Sequence, residues 1–328
     1  MKQWIAVMLV TMLFLTGCPL ARRPAPPPGG DEVPGPEEAD IAIPEEISSG
    51  EGVEPSLRVY IAERGATVTM EFEEYLAGVV AAEMEPTWPL EALAAQAIVA
   101  RTYTLQRIAD QGTLPNRNAH ASTNIQEFQA YNARRINDNV REAIQQTRGM
   151  VVVFEGEFVR SWFSAYCGGT TATPTEGLNF QGEDPPYLEP VDCPCYETVD
   201  DKQRTWSRSF SLSQVRNSAR GIARRNPGAG GVSITQRTEA GRAVKIRVGN
   251  VTVSAPELRL ALGSTQMRST WLTGVKVAGG RVTFSGRGYG HGVGLCQWGA
   301  NGLAQQGLSA EEIVGHFFRG AQVQRMWD

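Results

Sequence analysis

The sequence is poor in histidine and lacks the motif of the common zinc metallopeptidases. Its three histidines, His120, His291 and His316, are far apart in the chain. The HExxH pattern, which places two zinc ligands and a general base on one helix face, does not occur. The sequence therefore gives no support to a metal-dependent peptidase.

Signatures of nucleic-acid and nucleotide binding are also missing. The formal net charge is −4 and no long basic stripe occurs, so nucleic acid is not expected as a partner. Residues 286–294 are rich in glycine but contain neither GxGxxG nor the Lys-Ser/Thr of a phosphate loop. No internal repeat is visible, which disfavours a solenoid or a propeller.

The N-terminus has the pattern of an export signal. Lys2 precedes the apolar residues 4–15, and Leu-Thr-Gly-Cys follows at 15–18. This apolar stretch is too short for a stable membrane span. The tetrapeptide resembles the bacterial lipobox, which implies that residues 1–17 are removed and that Cys18 is lipidated. The alternative is an ordinary signal peptide, and either one predicts that the mature protein works outside the cytoplasm. With lipid on Cys18, the expected location is the cell envelope.

Residues 18–55 read as a flexible linker. They contain nine acidic and two basic residues, and nine prolines occur between positions 19 and 55. Such a composition cannot bury enough apolar surface to fold by itself. With 41% hydrophobic residues in the whole chain, we expect residues 56–328 to form one large domain, joined to a membrane through Cys18.

Periodicity and turn signals predict an α+β fold. Helices and hairpins alternate along the chain without a βαβ rhythm. Proline at a first helical turn, glycine at helix ends and a Ser-x-x-Glu capping box mark the helix boundaries. The predicted helices are 73–83, 89–111, 138–148 and one opened by Ser309. Two short strands are predicted at 57–61 and 67–72, and three hairpins at 150–154 with 157–166, 234–237 with 243–248, and 275–278 with 281–285.

A glutamate extends the apolar face of the first predicted helix. Glu83 follows Leu76, Val79 and Val80 at steps of three or four residues. Partial burial raises the pKa of a carboxyl group, as a general acid at neutral pH requires. Glu85 lies about 200° further round an ideal helix and is expected to face elsewhere.

The second predicted helix also carries polar residues in unusual places. Arg101 lies within its apolar face, where it either pairs with a buried acid or contacts an anionic or polar ligand. Gln96 and Tyr103 share another face, seven residues apart. A purely structural interpretation of Glu83 is that it pairs with Arg101 and holds the two helices together.

Four segments resemble the SpoIID/LytB family of sporulation and cell-wall proteins. They are LAGVVAAEMEPTWPLEALAAQAIVARTY at 76–103, FQAYN at 128–132, WFSAYCGGTT at 162–171 with PPYLEPV at 185–191, and GRGYGHGVGLCQWGANGLA at 286–304. The resemblance covers about residues 56–328, nearly the whole predicted domain.

The resemblance implies a lytic transglycosylase that acts on peptidoglycan. Active members cut between N-acetylmuramic acid and N-acetylglucosamine and leave a 1,6-anhydro ring. The C6 hydroxyl of the sugar is the nucleophile, so one carboxyl group can serve as acid and then as base, where glycoside hydrolases use two. The family's catalytic glutamate maps onto Glu83, although its usual EMP reads EMEP here.

The resemblance also suggests which residues line a glycan cleft. Aromatic rings stack on pyranoses, amides bind hydroxyls, and glycines let the backbone approach a sugar closely. The alternative for the glycine-rich segment is a tightly packed loop under the final helices. The expected substrate contacts are Gln96, Arg101, Tyr103, Tyr166, Thr170, Tyr289, His291, Gln297 and Trp298.

Four cysteines besides Cys18 remain to be assigned. Cys167 bridged to Cys193 or Cys195 is the favoured disulfide, since the chain is expected outside the cytoplasm. The alternative is a structural zinc held by these three residues and a fourth ligand. Cys296 reads as a small buried residue. Some relatives carry a zinc site before the FQAYN segment, but this chain has His120 and no cysteine there, so we expect that site to be absent. Any metal is expected to be structural, because the proposed chemistry needs no metal or other cofactor.

Two functions remain open from the sequence. The first is a lipid-anchored lytic transglycosylase, which the intact Glu83 favours. The second is a non-catalytic peptidoglycan binder that enhances a cell-wall amidase, a role implied by other members of the family. In both functions the protein binds peptidoglycan strands, and in the second a cell-wall amidase is a further partner.

Overall fold

Two helices, α1 (Phe72–Glu83) and α2 (Leu90–Gln111), form the centre of the computed structural model, which describes residues 41–328. Helix α2 is alanine-rich and almost completely buried from Ala92 to Thr102, so other elements pack closely around it. It ends at Gly112, whose φ of +63° suits glycine. Proline 89 lies at its N-cap, as the sequence predicts.

Eight further α-helices occur in the described part of the chain. Ser309 opens the last one with a capping box, which confirms the sequence prediction. They are α3 (Asp138–Gln146), α4 (Pro174–Leu178), α5 (Cys195–Thr198), α6 (Asp201–Arg204), α7 (Leu212–Ala223), α8 (Ala255–Leu262), α9 (Gln297–Gln305) and α10 (Ala310–Phe317). Of these, α3, α9 and α10 pack against the pair of α1 and α2.

The strands form small and mostly antiparallel sheets, and the α+β class is confirmed. They are β1 (Ser56–Ile61), β2 (Ala66–Glu71), β3 (Ala121–Ser122), β4 (Met150–Phe154), β5 (Glu157–Phe158), β6 (Phe163–Ser164), β7 (Thr205–Ser211), β8 (Val232–Arg237), β9 (Ala243–Val248), β10 (Val251–Ser254), β11 (Leu272–Ala278), β12 (Arg281–Arg287), β13 (Leu295–Cys296) and β14 (Gln322–Arg325). Their orders are β2-β1-β3, β10-β9-β8, β11-β12-β7, β13-β6 and β14-β4-β5.

The buried apolar residues form two clusters. The smaller one lies between the sheets of β7–β12 and helices α7 and α8. The larger one contains α1, α2, the neighbouring helices and the buried Trp327 near the C-terminus. Because α1 and α2 belong to the larger cluster, the candidate site lies on that part of the fold.

One predicted hairpin is shorter than expected. Strand β5 ends at Phe158, and β6 pairs in parallel with β13, more than one hundred residues later in the chain. This approach depends on Gly294, where a β-carbon would lie 2.0 Å from the carbonyl oxygen of Trp162. Local alternation in the sequence carries no information about such a distant partner.

The predicted linker also ends earlier than residue 55. Residues 41–55 are packed on the domain, and Ile47 is only 5% exposed within the larger cluster. Glu54 accepts a hydrogen bond of 2.8 Å from the backbone N–H of Glu73 in the first turn of α1. The domain boundary predicted at residue 56 therefore falls inside the packed region.

The signal peptide, Cys18 and the first part of the linker lie outside the described residues. Within residues 41–328, no helix has both the length and the hydrophobicity needed to cross a membrane.

Candidate functional site

Glu83 is the last residue of α1, and its carboxyl group has two hydrogen-bond donors. The backbone N–H of Ala130 donates to Oε1 over 2.9 Å. The side-chain amide of Gln297 donates to Oε2 over 3.2 Å. Met84 is already extended and Pro86 follows, so the helix stops and the carboxyl group sits at its end.

Burial raises the pKa of the Glu83 carboxyl above its usual value of 4.5, because the charged form loses hydration. The two N–H donors act in the opposite direction, since they stabilise the carboxylate. The desolvation effect is the larger one. The group can therefore hold a proton at a higher pH than an ordinary glutamate, yet its anion is also supported.

The FQAYN loop is held against α1 by a glycine. A β-carbon on Gly78 would lie 2.1 Å from the ring of Tyr131, and the backbone N–H of Asn132 donates to the carbonyl of Gly78. Tyr131 also stacks on Tyr75 of α1, with 5.9 Å between ring centroids. This contact places the N–H of Ala130 on the Glu83 carboxyl.

Helix α9 supplies the second donor from its first residue. Gln297 is buried, and its Nε2 also lies 3.5 Å from Oε1 of Gln96 on α2. Cys296, just before it, ends β13, which is paired with β6. The glutamate, the two glutamines and three helices thus meet at one point.

Two tyrosine hydroxyls lie near this carboxyl. Tyr103 of α2 and Tyr75 of α1 both interact electrostatically with Glu83. Burial raises the pKa of both phenols, so both remain protonated at neutral pH and can donate hydrogen bonds. The ring of Tyr103 packs edge-on against Phe128 and Phe163.

An aromatic pair lies on the segments that flank the site. Trp88 lies in the Pro-Thr-Trp-Pro segment that follows Glu83, and Trp298 follows Gln297 in α9. Their ring centroids are 4.7 Å apart, and both residues are partly exposed. Partly exposed indole rings are suited to stacking on a sugar.

Glu85 is directed elsewhere, as expected, but the cause is not helix geometry, because α1 ends at Glu83 and Glu85 lies beyond it. It is exposed and pairs with Arg135 over 2.7 Å. Among the described residues, the Glu83 carboxyl bonds the Ala130 N–H and the Gln297 amide, and no second carboxyl group shares these donors. Glu83 is therefore the single acid of this hydrogen-bonded set.

The expectation that Arg101 contacts a ligand is wrong. Its side chain is 0% exposed and makes two hydrogen bonds with Glu73, of 3.0 and 2.6 Å, and one with the carbonyl of Met150. Glu73 also accepts from the N–H of Gly149 and the indole of Trp327. The guanidinium of Arg101 is therefore bonded by protein groups in the interior and is not directed at a ligand.

The alternative pairing of Arg101 with Glu83 is also wrong. Glu73 lies at the start of α1 and Glu83 at its end, so the ion pair and the candidate site occupy opposite ends of the helix. The ion pair therefore does not lower the pKa of the Glu83 carboxyl.

The glycine-rich segment at 286–294 packs closely against other residues of the same domain. A β-carbon on Gly290 would lie 2.6 Å from Cβ of Ser164, and one on Gly292 would lie 2.5 Å from the guanidinium of Arg242. Both glycines have positive φ values, of +115° and +81°. These glycines are therefore explained by a tightly packed loop, which was the alternative interpretation of this segment from the sequence.

His291 makes a hydrogen bond within this loop. Its Nδ1 accepts from the N–H of Val293 over 3.1 Å. Burial, together with the positive charges of Arg259 and Arg242, lowers its pKa to about 3. A neutral imidazole is therefore held here, and a role in sugar binding stays a prediction.

The remaining predicted contacts lie on neighbouring segments. Tyr289 is 39% exposed, faces the guanidinium of Arg268 and pairs through its backbone with Tyr166. Tyr166 itself is buried beside Cys167 and Cys195. The hydroxyl of Thr170 lies 3.4 Å from the carboxylate of Asp192. Their roles in substrate binding stay predictions.

The favoured disulfide is not formed. Cys167, Cys193, Cys195 and Cys296 are all free and buried. Cys296 joins the other three, whereas the sequence interpretation left it as an isolated small residue. His120 lies elsewhere, and its Nδ1 accepts from the backbone N–H of Arg58.

Sequence reasoning missed three contributors to the site. The N–H of Ala130 carries no side-chain signal, although the FQAYN motif marked its loop. Trp88 lies in the Pro-Thr-Trp-Pro segment after Glu83, and Tyr75 lies directly before Leu76 in the first predicted helix. Both read as ordinary apolar residues until their neighbours are known.

Comparison with known proteins assigns the chain to a family. The SpoIID model, described as stage II sporulation protein, matches residues 61–154. This range contains α1, α2 and the FQAYN loop, and therefore Glu83, Gln96, Tyr103 and Ala130.

Curated relatives extend the match over most of the chain. An uncharacterised protein of Brachyspira hyodysenteriae is 32% identical over 255 residues, which is 77% of this chain and 67% of the relative. Stage II sporulation protein D of Bacillus subtilis is 25% identical over 82% of this chain and 78% of its own length.

A further relative is the amidase enhancer of Bacillus subtilis. It is 28% identical over 75% of this chain, but the match spans only 39% of that longer protein. From these matches and the four motifs, the chain belongs to the SpoIID/LytB family.

Proposed function

We propose that this protein is a lytic transglycosylase of the cell envelope that cleaves the glycan strand of peptidoglycan, with Glu83 as its general acid and base. The observation that carries the proposal is the Glu83 carboxyl: its pKa is raised by burial, and it is held by the Ala130 N–H and the Gln297 amide.

In the first step, the protonated Glu83 transfers its proton to the glycosidic oxygen. That oxygen leaves as the C4 hydroxyl of N-acetylglucosamine, while positive charge develops at C1 of N-acetylmuramic acid. The raised pKa keeps the proton available at the pH where ordinary glutamates are ionised. The two donors stabilise the carboxylate that remains.

In the second step, the carboxylate removes the proton from the C6 hydroxyl of the same muramic acid. The C6 oxygen then bonds to C1, which closes the 1,6-anhydro ring and returns Glu83 to its protonated form. Water is not consumed, so no second carboxyl is needed to activate it. The single carboxyl at this site supports the transglycosylase over a hydrolase.

Substrate binding is proposed for the residues around this carboxyl. Gln96, with one amide nitrogen lacking a protein partner, and Tyr103 offer donors to sugar hydroxyl and acetamido groups. Trp298, together with Trp88, offers an aromatic surface beside the site. Tyr166, Thr170, Tyr289 and His291 remain proposed contacts further along the cleft.

Location and attachment are also proposed from the sequence. The lipobox-like segment predicts export and lipid on Cys18, and the residues up to 40 would tether the domain to a membrane. A membrane-tethered domain would reach peptidoglycan close to the bilayer. No soluble cofactor is required for the chemistry proposed here.

A second function is supported by the relative named amidase enhancer. In this alternative the same surface binds peptidoglycan without cutting it and promotes a cell-wall amidase. The carboxyl with its two donors would then bind a sugar amide or hydroxyl and would transfer no proton.

The test is a digest of purified peptidoglycan, both intact and stripped of stem peptides by an amidase. The protein is the chain without its signal peptide, with Cys18→Ser to prevent lipidation. We expect 1,6-anhydromuramic ends by mass spectrometry. Glu83→Gln should lower their rate of formation about 10²–10⁴-fold, the usual contribution of a general acid or base.

Glu85→Gln is the matched control, because it makes the same chemical change on an exposed residue two positions away. It should leave the rate unchanged. Reducing ends instead of anhydro ends would show hydrolysis and reject the mechanism. Retained binding without any product, with stimulation of an added amidase, would establish the second function instead.

A further inference from the structure

Four buried cysteines from three distant segments meet at one point. Their Sγ atoms all lie within 4.8 Å of one another. Cys167 follows β6, Cys193 and Cys195 belong to the Cys-Pro-Cys segment, and Cys296 ends β13. The set is part of the larger hydrophobic cluster and does not belong to the Glu83 site.

The spacing of the sulfur atoms suits a metal ion at their centre. Cys167 and Cys195 have their Sγ atoms 3.4 Å apart. A tetrahedral zinc with bonds of about 2.3 Å to sulfur separates its ligands by about 3.8 Å. Four thiols that converge mutually, instead of forming two distinct pairs, match a four-ligand site.

A backbone N–H group is directed at one of the sulfur atoms. The N–H of Cys167 donates to Sγ of Cys296 over 3.2 Å. Gly168 and Gly169 have φ values of +93° and +116°, which let the chain turn back after Cys167. Such donors stabilise thiolates that ligate a metal and orient them.

A buried positive charge lies beside the cluster. Arg242 is 1% exposed and forms no ion pair within residues 41–328. Its guanidinium donates to the carbonyls of Cys167 and Thr170, and Nη1 has no hydrogen-bond partner. The Glu176 carboxylate acts on this cation from beyond ion-pair distance. A zinc ion with four thiolates carries a net charge of −2, which would add further negative charge beside the buried cation.

We propose that Cys167, Cys193, Cys195 and Cys296 bind one zinc ion. Four protein ligands leave no open coordination position, so the site is structural and not catalytic. The ion ties the Cys-Gly-Gly turn and the Cys-Pro-Cys segment to the residue that precedes α9. Because Gln297 follows Cys296 directly, the metal also positions the amide that donates to Glu83.

The first measurement is the metal and thiol content of the Cys18→Ser chain, which retains just these four cysteines. We expect one zinc per chain by elemental mass spectrometry after dialysis. Alkylation in denaturant with chelator, but without reductant, should modify all four thiols. Exchange of zinc for Co²⁺ should give the intense visible and near-ultraviolet bands of tetrahedral cobalt thiolate.

Cobalt exchange uses the four native ligands, so its result does not depend on a cysteine variant that fails to fold. Cys296→Ser should lose stoichiometric zinc, whereas Cys18→Ser alone should not change the zinc content of the otherwise native chain. Two disulfides by mass, or four free thiols without zinc or cobalt binding, would overturn the proposal.

The readouts are metal content and spectra, so they are independent of glycan cleavage. A chain that binds zinc but produces no anhydro ends would reject the proposed reaction and keep the metal site. A metal-free chain that still produces anhydro ends would reject the metal site and keep the proposed reaction.

Discussion

At the scale of a single residue, Glu83 shows how two opposed effects set one pKa. Burial penalises the carboxylate, and the donors Ala130 and Gln297 favour it, with burial the stronger. Glu85, two positions along, has neither burial nor these donors and pairs with Arg135 at the surface. Glu83 and Glu85 differ in this way because α1 ends at Glu83 and the FQAYN loop packs on the side of α1 that carries the Glu83 carboxyl.

This raised pKa should appear in the pH dependence of stability. The folded state holds its proton to a higher pH than the unfolded state, so the contribution is fully present below pH 4.5 and is lost as pH rises through the folded pKa. Glu83→Gln cannot ionise, so its free energy of unfolding does not decrease for this reason as the pH rises. The free energy of unfolding of Glu83→Gln minus that of the wild type should therefore increase from acidic to neutral pH.

Urea unfolding at a series of pH values measures this difference, with Glu85→Gln as control. The control should follow the wild type across the whole range, because its carboxyl is exposed. If the difference between Glu83→Gln and the wild type is the same at all pH values, Glu83 has no raised pKa in the folded state.

The ion pair of Arg101 and Glu73 is the second feature decided by individual residues. Both side chains are buried, and Glu73 also accepts from Gly149 and Trp327. Arg101→Met leaves this carboxylate without its cation, and such a change costs about 3–5 kcal/mol of unfolding free energy. Adding Glu73→Gln, which removes the charge, should recover part of the loss.

Denaturant unfolding of the two single variants and the double variant gives the coupling between these residues. Glycan pull-down on the folded fraction provides the second readout, and it should be unchanged. A stable Arg101→Met protein that no longer binds glycan would mean that the arginine contacts substrate after all.

At the scale of elements, the site depends on the first residue of α9. That helix begins directly after β13, which pairs with β6, so a strand contact fixes where Gln297 meets Glu83. The FQAYN loop provides the other donor through its packing on Gly78. Two separate connections thus hold the carboxyl at the end of α1.

Removing the α9 donor should change the pH profile of the reaction. The Gln297 amide stabilises the carboxylate, so Gln297→Ala raises the pKa of Glu83 further. The general acid must be protonated, and the fall in kcat/KM at high pH should therefore move to higher pH. A profile that keeps its position while the rate falls would assign Gln297 to substrate binding instead.

The control for this prediction is Gln305→Ala at the other end of α9. Gln305 bonds Asn301 within its own helix and has no contact with Glu83 in the described structure. Its pH profile should match that of the wild type. Circular dichroism of both variants should show that α9 itself is retained.

Elements with local signals were predictable from the sequence. Pro89 and Gly112 bound α2, Ser309 opens α10, and two of the hairpins are confirmed because their turns contain the required glycines. The parallel pairing of β6 with β13 was not predictable, since no local pattern identifies a partner so far along the chain.

The candidate site divides in the same way. Helical periodicity identified Glu83, and the FQAYN and HGVGLCQWG motifs marked the segments of Ala130 and Gln297. Glu85 is kept apart from Glu83 because α1 ends between them, which periodicity did not predict. The partner of Arg101 and the convergence of Cys296 with the other cysteines depend on tertiary contacts across 28 and 129 residues. Residue spacing in the sequence does not encode such contacts.

At the scale of the whole molecule, the segment before β1 is part of the domain that carries the site. Glu71, at the N-cap of α1, makes no side-chain cap, and Glu54 supplies the acceptor for that helix instead. Glu54 also pairs with Arg148. Ile41 and Ile43 pack on the larger hydrophobic cluster, and Ile47 is buried in it.

Truncation should therefore have a sharp boundary between residues 41 and 56. A chain that begins at residue 56 loses the buried Ile47, worth about 1.5–3 kcal/mol, and the Glu54 cap, worth about 1 kcal/mol. We expect it to be several kcal/mol less stable in urea than a chain that begins at residue 41.

Within the longer chain, Glu54→Gln should lower the free energy of unfolding. Glu51→Gln, which changes an exposed residue of the same segment, should not. Equal urea midpoints for the two truncated chains would mean that residues 41–55 behave as the linker that their composition suggests, and that α1 begins without help from them.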